Sequence, residues 1–180
     1  MDLFFNPLPM LMERLHTEDA VVIQGLATGD VVWDPRSIMP PVVAQAREIW
    51  DAGPAPLTDW AQILLRYRIG CLAEDLEDAT DSSTRALLAV QLVTSALEAA
   101  LAWHRQWPVP VKQLLEAVTA LDSEWGQDAR AFFAHAPDAA HAIRLADRLL
   151  APMGGRIHEY TSPKAKIPAA PCAPASGGET

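Results

Sequence analysis

Apolar residues recur at spacings of three and four along most of the chain after Pro41. A first stretch of this kind ends at the breaker 51–54, and a second begins after Thr58 and ends at 78–81. A third and longer stretch runs from about residue 82 to Trp107, where two prolines end it. This periodicity predicts amphipathic helices, with the third as the central helix of a bundle.

Three shorter helices are predicted at 111–121, 123–136 and 138–151, because a capping or helix-breaking signal separates each from the next. Residues 161–180 are rich in Pro, Ala and Gly and contain few large apolar groups. Such a segment cannot offset the entropy cost of ordering, so we expect a disordered tail there.

The first 36 residues show a different pattern. Residues 2–6 and 30–34 are short, bulky apolar runs, each closed by a proline, and predict two strands. A short helix capped by Thr17 is predicted between them. The expected fold class is therefore mostly α: a helical bundle of about five to six helices over 37–160, preceded by a two-stranded β remnant with one short helix over 1–36.

Half of the 180 residues are hydrophobic, which is sufficient for one domain with a sizeable core. The formal net charge of −9 repels phosphate backbones and anionic lipid surfaces and argues against nucleic acid as a partner. Cys71 and Cys172 lie too far apart in the sequence for a redox or metal motif. The N-terminus lacks the positive region of a signal peptide, and polar residues interrupt the longest apolar stretch, so we expect a cytoplasmic protein without a membrane span.

A line of polar residues crosses the predicted central helix. Thr84, Gln91, Glu98 and Arg105 repeat every seven residues on an otherwise apolar helix, and Ser95 lies beside them. A carboxylate among apolar neighbours can have a raised proton affinity, which makes Glu98 a candidate catalytic base. The alternative, favoured by general experience with such lines, is a solvated seam.

Two other groups of residues are candidates for ligand binding. Asp75 lies near the apolar stripe of the second helix, two turns from Arg68, and can bind substrate or form an Arg–Asp link between helices. Trp103 and Trp107 share a helix face next to Lys112, which enters the following helix near its N-terminus. That corner can hold a flat or anionic ligand, although tryptophans at this spacing are more often core residues.

The segment from Arg130 to His135 has the Arg-x4-His spacing of ribonucleases of the HEPN superfamily. In that family the pair is positioned to cleave an RNA backbone. The acidic composition opposes RNA binding, so this interpretation ranks behind the others.

A wider resemblance joins several short motifs in a fixed order. They are Asp2 in its apolar run, residues 31–35, residues 46–50 followed by 53–54, Leu65-Arg66-Tyr67 leading to 74–76, and Trp107 before Lys112. In this order the chain resembles the C-terminal part of a polymerase-β-type nucleotidyltransferase. The resemblance implies the end of a catalytic α/β domain followed by a helical substrate-binding domain, similar to HEPN and kanamycin-nucleotidyltransferase domains.

The resemblance assigns roles to several residues. Asp2 corresponds to the third metal-binding carboxylate, which helps to hold Mg²⁺ for attack on the α-phosphate, and Glu98 becomes the base for a small-molecule acceptor. Arg66, Trp103 and Lys112 would lie near the ligand, with Asp75 as a further substrate-binding candidate.

The Gly-Ser and Asp-x-Asp motifs of that family are not present in this sequence. Mg²⁺ and a nucleoside triphosphate are therefore expected as cofactors only together with a complete catalytic domain, and this chain alone is expected to be inactive. A late start codon, a degenerate remnant, and a separate catalytic subunit or homodimer as partner all agree with this pattern. A non-enzymatic scaffold that docks through residues 2–6 and 30–34 is the alternative from a different functional class.

Overall fold

The computed structural model describes residues 7–159, and over this range the chain is helical and contains no β-strand. The helices are α1 (Leu8–His16), α2 (Ala20–Thr28), α3 (Met39–Ala52), α4 (Asp59–Asp78), α5 (Ser82–Trp103), α6 (Val111–Leu121), α7 (Ser123–Ala134) and α8 (Ala139–Leu150), followed by a 3-10 turn at Ala151–Met153. The mostly α fold class is confirmed, and α3 to α8 are the six helices that periodicity predicts after residue 37. Asp2, the apolar run 2–6 and the tail 161–180 lie outside the described residues.

Helix α5 forms the centre of the bundle and packs against α4, α6 and α8. Its buried residues alternate between alanines, which allow neighbouring helices to approach closely, and larger residues that fill the core. They are Ala89, Leu92, Val93, Ala96, Leu97, Ala99, Ala100 and Leu101. By length and composition α5 is also apolar enough to cross a membrane, a test that a buried core helix passes equally well.

A second, smaller core is formed by residues of α1, α2 and α3 and includes Trp107 from the α5–α6 loop. The indole of Trp107 stacks on Trp50 with ring centroids 5.7 Å apart, and its Nε1 donates a hydrogen bond to the Trp50 carbonyl at 3.0 Å. Arg105, in a left-handed conformation, donates from its guanidinium to the carbonyls of Ala52 and Pro54. The α5–α6 loop therefore fixes the position of the loop between α3 and α4.

The prediction of a strand at 30–34 is wrong. This segment is an irregular loop between α2 and α3, in which Val32 and Trp33 are 94% and 82% exposed. β-Branched and aromatic residues favour strands only where another strand packs beside them, and the described residues offer no such neighbour. The Asp34 carboxylate instead accepts hydrogen bonds from the backbone N–H groups of Ile38 and Met39 at the start of α3.

The predicted N-terminal helix has a different start. Asp19, and not Thr17, caps α2, because its carboxylate accepts hydrogen bonds from the N–H groups of Val21 and Val22. Thr17 lies after α1, a helix that the sequence pattern did not predict. By contrast, Thr58 caps α4 as predicted and accepts from the N–H of Ala61 at 3.1 Å.

Candidate functional site

A cavity is lined by residues of α4, α5 and α6 and of the two loops that Arg105 links. Its volume is about 590 Å³, and we call it the apolar chamber. Most of its lining comes from aliphatic side chains and prolines: Pro54, Ala55, Leu57, Ala61, Leu64, Leu65, Ala99, Leu101, Ala102, Pro108, Val109 and Leu114. Only Arg68, Glu98 and Gln106 contribute polar side chains, so the chamber can accommodate an apolar group.

A second cavity of about 320 Å³ continues along the same pair of helices, and we call it the polar chamber. Its lining combines charged, amide, hydroxyl and thiol groups with a few aliphatic residues: Leu65, Tyr67, Arg68, Ile69, Cys71, Leu72, Asp75, Gln91, Ser95 and Glu98. The two chambers share Leu65, Arg68 and Glu98. They therefore adjoin at these three residues; we call the pair of chambers the cleft and the three shared residues the neck.

The sequence pattern explains why the polar chamber forms at this place. Gln91, Ser95 and Glu98 follow each other at spacings of four and three residues, so they lie on one face of α5. Arg68 and Asp75 lie two turns apart on α4, on the side that faces this line. The four residues of the polar line are exposed, as the solvated-seam alternative expects, and Gln91 and Glu98 of that line, together with Ser95, also form one wall of the cleft.

The three charged residues of the cleft have no partner in the part of the chain that the structure describes. Within residues 7–159, Arg68, Asp75 and Glu98 make no ion pair and no side-chain hydrogen bond. The Arg–Asp link that the sequence favoured is absent among these residues. All three side chains are exposed, so water solvates their charges in the free protein and a bound ligand can pair with them.

Tyr67 and Cys71 stand together at the edge of the polar chamber, one turn apart on α4. A side-chain hydrogen bond with Cys71 raises the pKa of the Tyr67 hydroxyl above 10.0, and the nearby Cys71 and Glu74 charges and burial act in the same direction. Tyr67 therefore stays protonated at neutral pH. Cys71 is half-buried and is a free thiol.

No protein-family model, curated protein or solved structure shows significant similarity to this chain. The interpretation of the cleft therefore depends on its own geometry. Among the described residues there is also no group of three or more His, Cys, Asp or Glu side chains that could hold a metal ion.

Of the candidate site residues predicted from the sequence, Glu98 and Asp75 line the cleft. Arg66 does not line either chamber, because its guanidinium donates to the carbonyls of Gly155 (2.6 Å) and Gly154 (2.7 Å) after α8. Its two hydrogen bonds tie α4 to the end of the bundle.

The residues of the predicted tryptophan and lysine corner are dispersed. Trp103 is half-buried against the core of the bundle, whereas Trp107 belongs to the smaller core with Trp50. Lys112 is exposed at the start of α6 and is not among the residues that line either chamber. These three residues therefore do not converge with Glu98 on one pocket.

Arg130 and His135 lie near the C-terminal end of α7, and both are exposed. The His135 Nδ1 lies 2.9 Å from the carbonyl oxygen of Ala131, one turn earlier. The HEPN interpretation remains a prediction from the sequence. Its residues lie outside the α4–α5 cleft.

The sequence pattern did not indicate several residues that shape the site. The loop residues from 54 to 57 and from 106 to 109 close the apolar chamber. Prolines in both loops signalled helix ends, but they gave no indication that the two loops meet. Their proximity depends on the hydrogen bonds of Arg105 across 51 and 53 residues of sequence.

Proposed function

We propose that this chain binds a small molecule in the α4–α5 cleft and serves as the helical substrate-binding part of a group-transfer system. The observation that carries the proposal is the adjoining apolar and polar chambers, with charges at the neck that have no ion-pair partner within residues 7–159. Ligand sites in proteins are typically concave, mostly apolar and about 300–1,000 Å³ in volume, with a few polar groups that fix orientation. The apolar chamber has these properties.

Glu98 is the candidate base of this system. It borders both chambers, so it can contact a ligand that extends from one to the other. A general base must lie within hydrogen-bond reach of the proton that it removes, and the neck gives Glu98 access to a hydroxyl or amino group of a bound acceptor. In a nucleotidyltransferase, Mg²⁺ and the nucleoside triphosphate would be held by a separate catalytic subunit or domain that meets this one.

A cavity-filling variant tests ligand binding. In Ala102→Phe the added ring enters the apolar chamber, whereas Ala120→Phe places the same ring on the exposed face of α6 as a control. The neutral fluorescent probe N-phenyl-1-naphthylamine should bind wild type and Ala120→Phe alike. It should bind Ala102→Phe at least about tenfold more weakly, since a filled pocket loses the burial of the probe. Equal affinity for all three proteins would contradict the proposal.

The transferase role needs its own measurement. The purified chain should show little binding of ATP with Mg²⁺ in a calorimetric titration, because the metal-binding motifs of that family are not found in its sequence. Robust nucleotidyl transfer by the chain without any partner would contradict this account, even if the cleft binds a small molecule.

A second function is favoured by one observation. Val32 and Trp33 are highly exposed next to each other in the α2–α3 loop, and exposed apolar groups of this kind mark interaction surfaces. A scaffold or homodimer that uses this loop should have the mass of a dimer by sedimentation, and Trp33→Ser should convert it to a monomer. A monomer for both proteins would count against self-association. This function ranks second because nothing in the structure shows what covers the loop.

A further inference from the structure

The charges of the cleft are not balanced. Asp75 and Glu98 contribute two carboxylates to the polar chamber, and Arg68 contributes the one guanidinium among its lining residues. The whole chain has a formal net charge of −9, so its long-range field has the same sign as the cleft. An approaching cation is therefore attracted both at a distance and at the site.

The charges also have an order along the cleft. Helices α4 and α5 are joined by the short segment 79–81 and pack against each other, so early residues of α4 face late residues of α5. Arg68 and Glu98 lie at the neck, while Asp75 and Gln91 lie toward the far end of the polar chamber. Seven residues separate Arg68 from Asp75, which is a distance of about 10 Å along a helix.

We propose that the ligand of this cleft is an elongated amphiphile with a protonated amine at one end. Its aliphatic or aromatic body occupies the apolar chamber, and its amine enters the polar chamber, where the Glu98 carboxylate at the neck and the Asp75 carboxylate toward the far end both attract it. This inference rests on the proposed function and specifies the chemical class of the ligand.

Alternative head groups match the cleft less well. An anionic head would gain one pairing with Arg68 but would be repelled by both carboxylates. A neutral hydroxyl would find hydrogen-bond partners such as Gln91 and Ser95 but would gain nothing from the charge excess. An ammonium group donates up to three hydrogen bonds to carboxylates, and such charge-assisted bonds are stronger than neutral ones. The positive charge of Arg68 repels the ammonium group, so it should weaken the binding of amphiphilic amines.

Three probes with the same ten-carbon chain separate the head groups. Decylamine, decan-1-ol and decanoate compete with N-phenyl-1-naphthylamine at neutral pH below their micelle concentrations. We expect decylamine to bind about threefold more tightly than decan-1-ol and about tenfold more tightly than decanoate, the range given by a few partly solvated charge contacts. Equal affinity for the three probes, or tighter binding of decanoate, would overturn the amine assignment.

Charge variants identify the residues responsible. Asp75→Asn and Glu98→Gln should each lower the affinity for decylamine about two- to fivefold and change the affinity for decan-1-ol by less than about twofold. Arg68→Gln should raise the affinity for decylamine by a similar factor. Asp78→Asn removes the same charge from an exposed position of α4 that is not among the lining residues, and it should have less effect than Asp75→Asn. An equal effect of Asp78→Asn would attribute the preference to the overall charge of the protein and not to the cleft.

The outcomes separate this inference from the proposed function. If all probes bind, Ala102→Phe abolishes binding, and the charge variants have no effect, the cleft binds small molecules but the amine assignment is wrong. If neither N-phenyl-1-naphthylamine nor any ten-carbon probe binds, the proposed function itself fails. All four substituted charges are exposed side chains, and circular dichroism verifies that each variant is folded.

Discussion

Replacing Arg66 with methionine should destabilise the fold without changing the cleft. The variant keeps most of the aliphatic stem but loses the hydrogen bonds from the guanidinium to the carbonyls of Gly154 and Gly155. A hydrogen bond that involves a charged group contributes about 1.5–3 kcal/mol, and the lower end applies here because the Arg66 side chain is only partly buried. Allowing for partial replacement of the two bonds by water, we expect a loss of about 2 kcal/mol in the free energy of unfolding.

Arg68→Met is the matched control two residues along the same helix. Its guanidinium is exposed and has no partner among the described residues, so its removal should change the free energy of unfolding by less than about 0.5 kcal/mol. Binding should show the reverse pattern, because Arg68 borders both chambers and Arg66 lines neither of them. Arg66→Met should bind the fluorescent probe and decylamine as wild type does, whereas Arg68→Met should alter the affinity for decylamine.

Urea denaturation followed by circular dichroism at 222 nm measures the stability of both variants, and probe titrations in the absence of urea measure binding. The reasoning would be refuted if Arg66→Met unfolded at the same urea concentration as wild type. It would also be refuted if folded Arg66→Met lost the probe, since Arg66 would then contact the ligand, as the resemblance to nucleotidyltransferases implies.

Three further predictions concern packing and capping. Trp107→Phe should cost about 1–2 kcal/mol in urea denaturation, because it leaves a carbonyl of α3 without its indole donor. Gly126→Ala should destabilise the protein by at least about 2 kcal/mol, since the new methyl group would overlap Thr119, whereas Gly25→Ala has open space and should stabilise it by about 0.5–1 kcal/mol. Asp81 caps α5, and the hydrogen bond from the Thr84 N–H holds the pKa of its carboxyl below 3.8. The cap therefore stabilises the fold above pH 3.8, and this stabilisation is lost as the pH falls through the lowered pKa. The difference in melting temperature between wild type and Asp81→Ala should shrink in acid.

The helices after residue 37 could be predicted because their signals are local. Periodicity fixes which side of each helix is apolar, and caps such as Thr58 and Asp122 satisfy N–H groups only a few residues away. The strand at 30–34 failed for the opposite reason. Val31, Val32 and Trp33 favour a strand only if another strand pairs with them, and that condition depends on distant parts of the chain.

The same distinction divides the site residues. Glu98 was predicted because helical geometry alone places it on one line with Gln91, and α4 then packs against that line. Helical spacing places Arg66 and Arg68 on different faces of α4, but the sequence does not show which neighbour each face meets. One faces carbonyls 88 and 89 residues away, and the other faces the cleft.

The free protein forgoes stabilising interactions in the cleft that a ligand can supply. Leu64 is exposed at the apolar chamber, while Arg68, Asp75 and Glu98 lack ionic partners within the described residues. A packed helix pair would normally bury the aliphatic groups and pair the charges, so the cleft leaves both kinds of interaction open at the same place. A ligand that covers the leucines and neutralises a carboxylate binds only the folded state, and mass action then raises the apparent stability with ligand concentration. Decylamine should therefore raise the melting temperature of wild type more than that of Ala102→Phe, and an equal rise for both proteins would mean that the stabilisation arises outside the cleft.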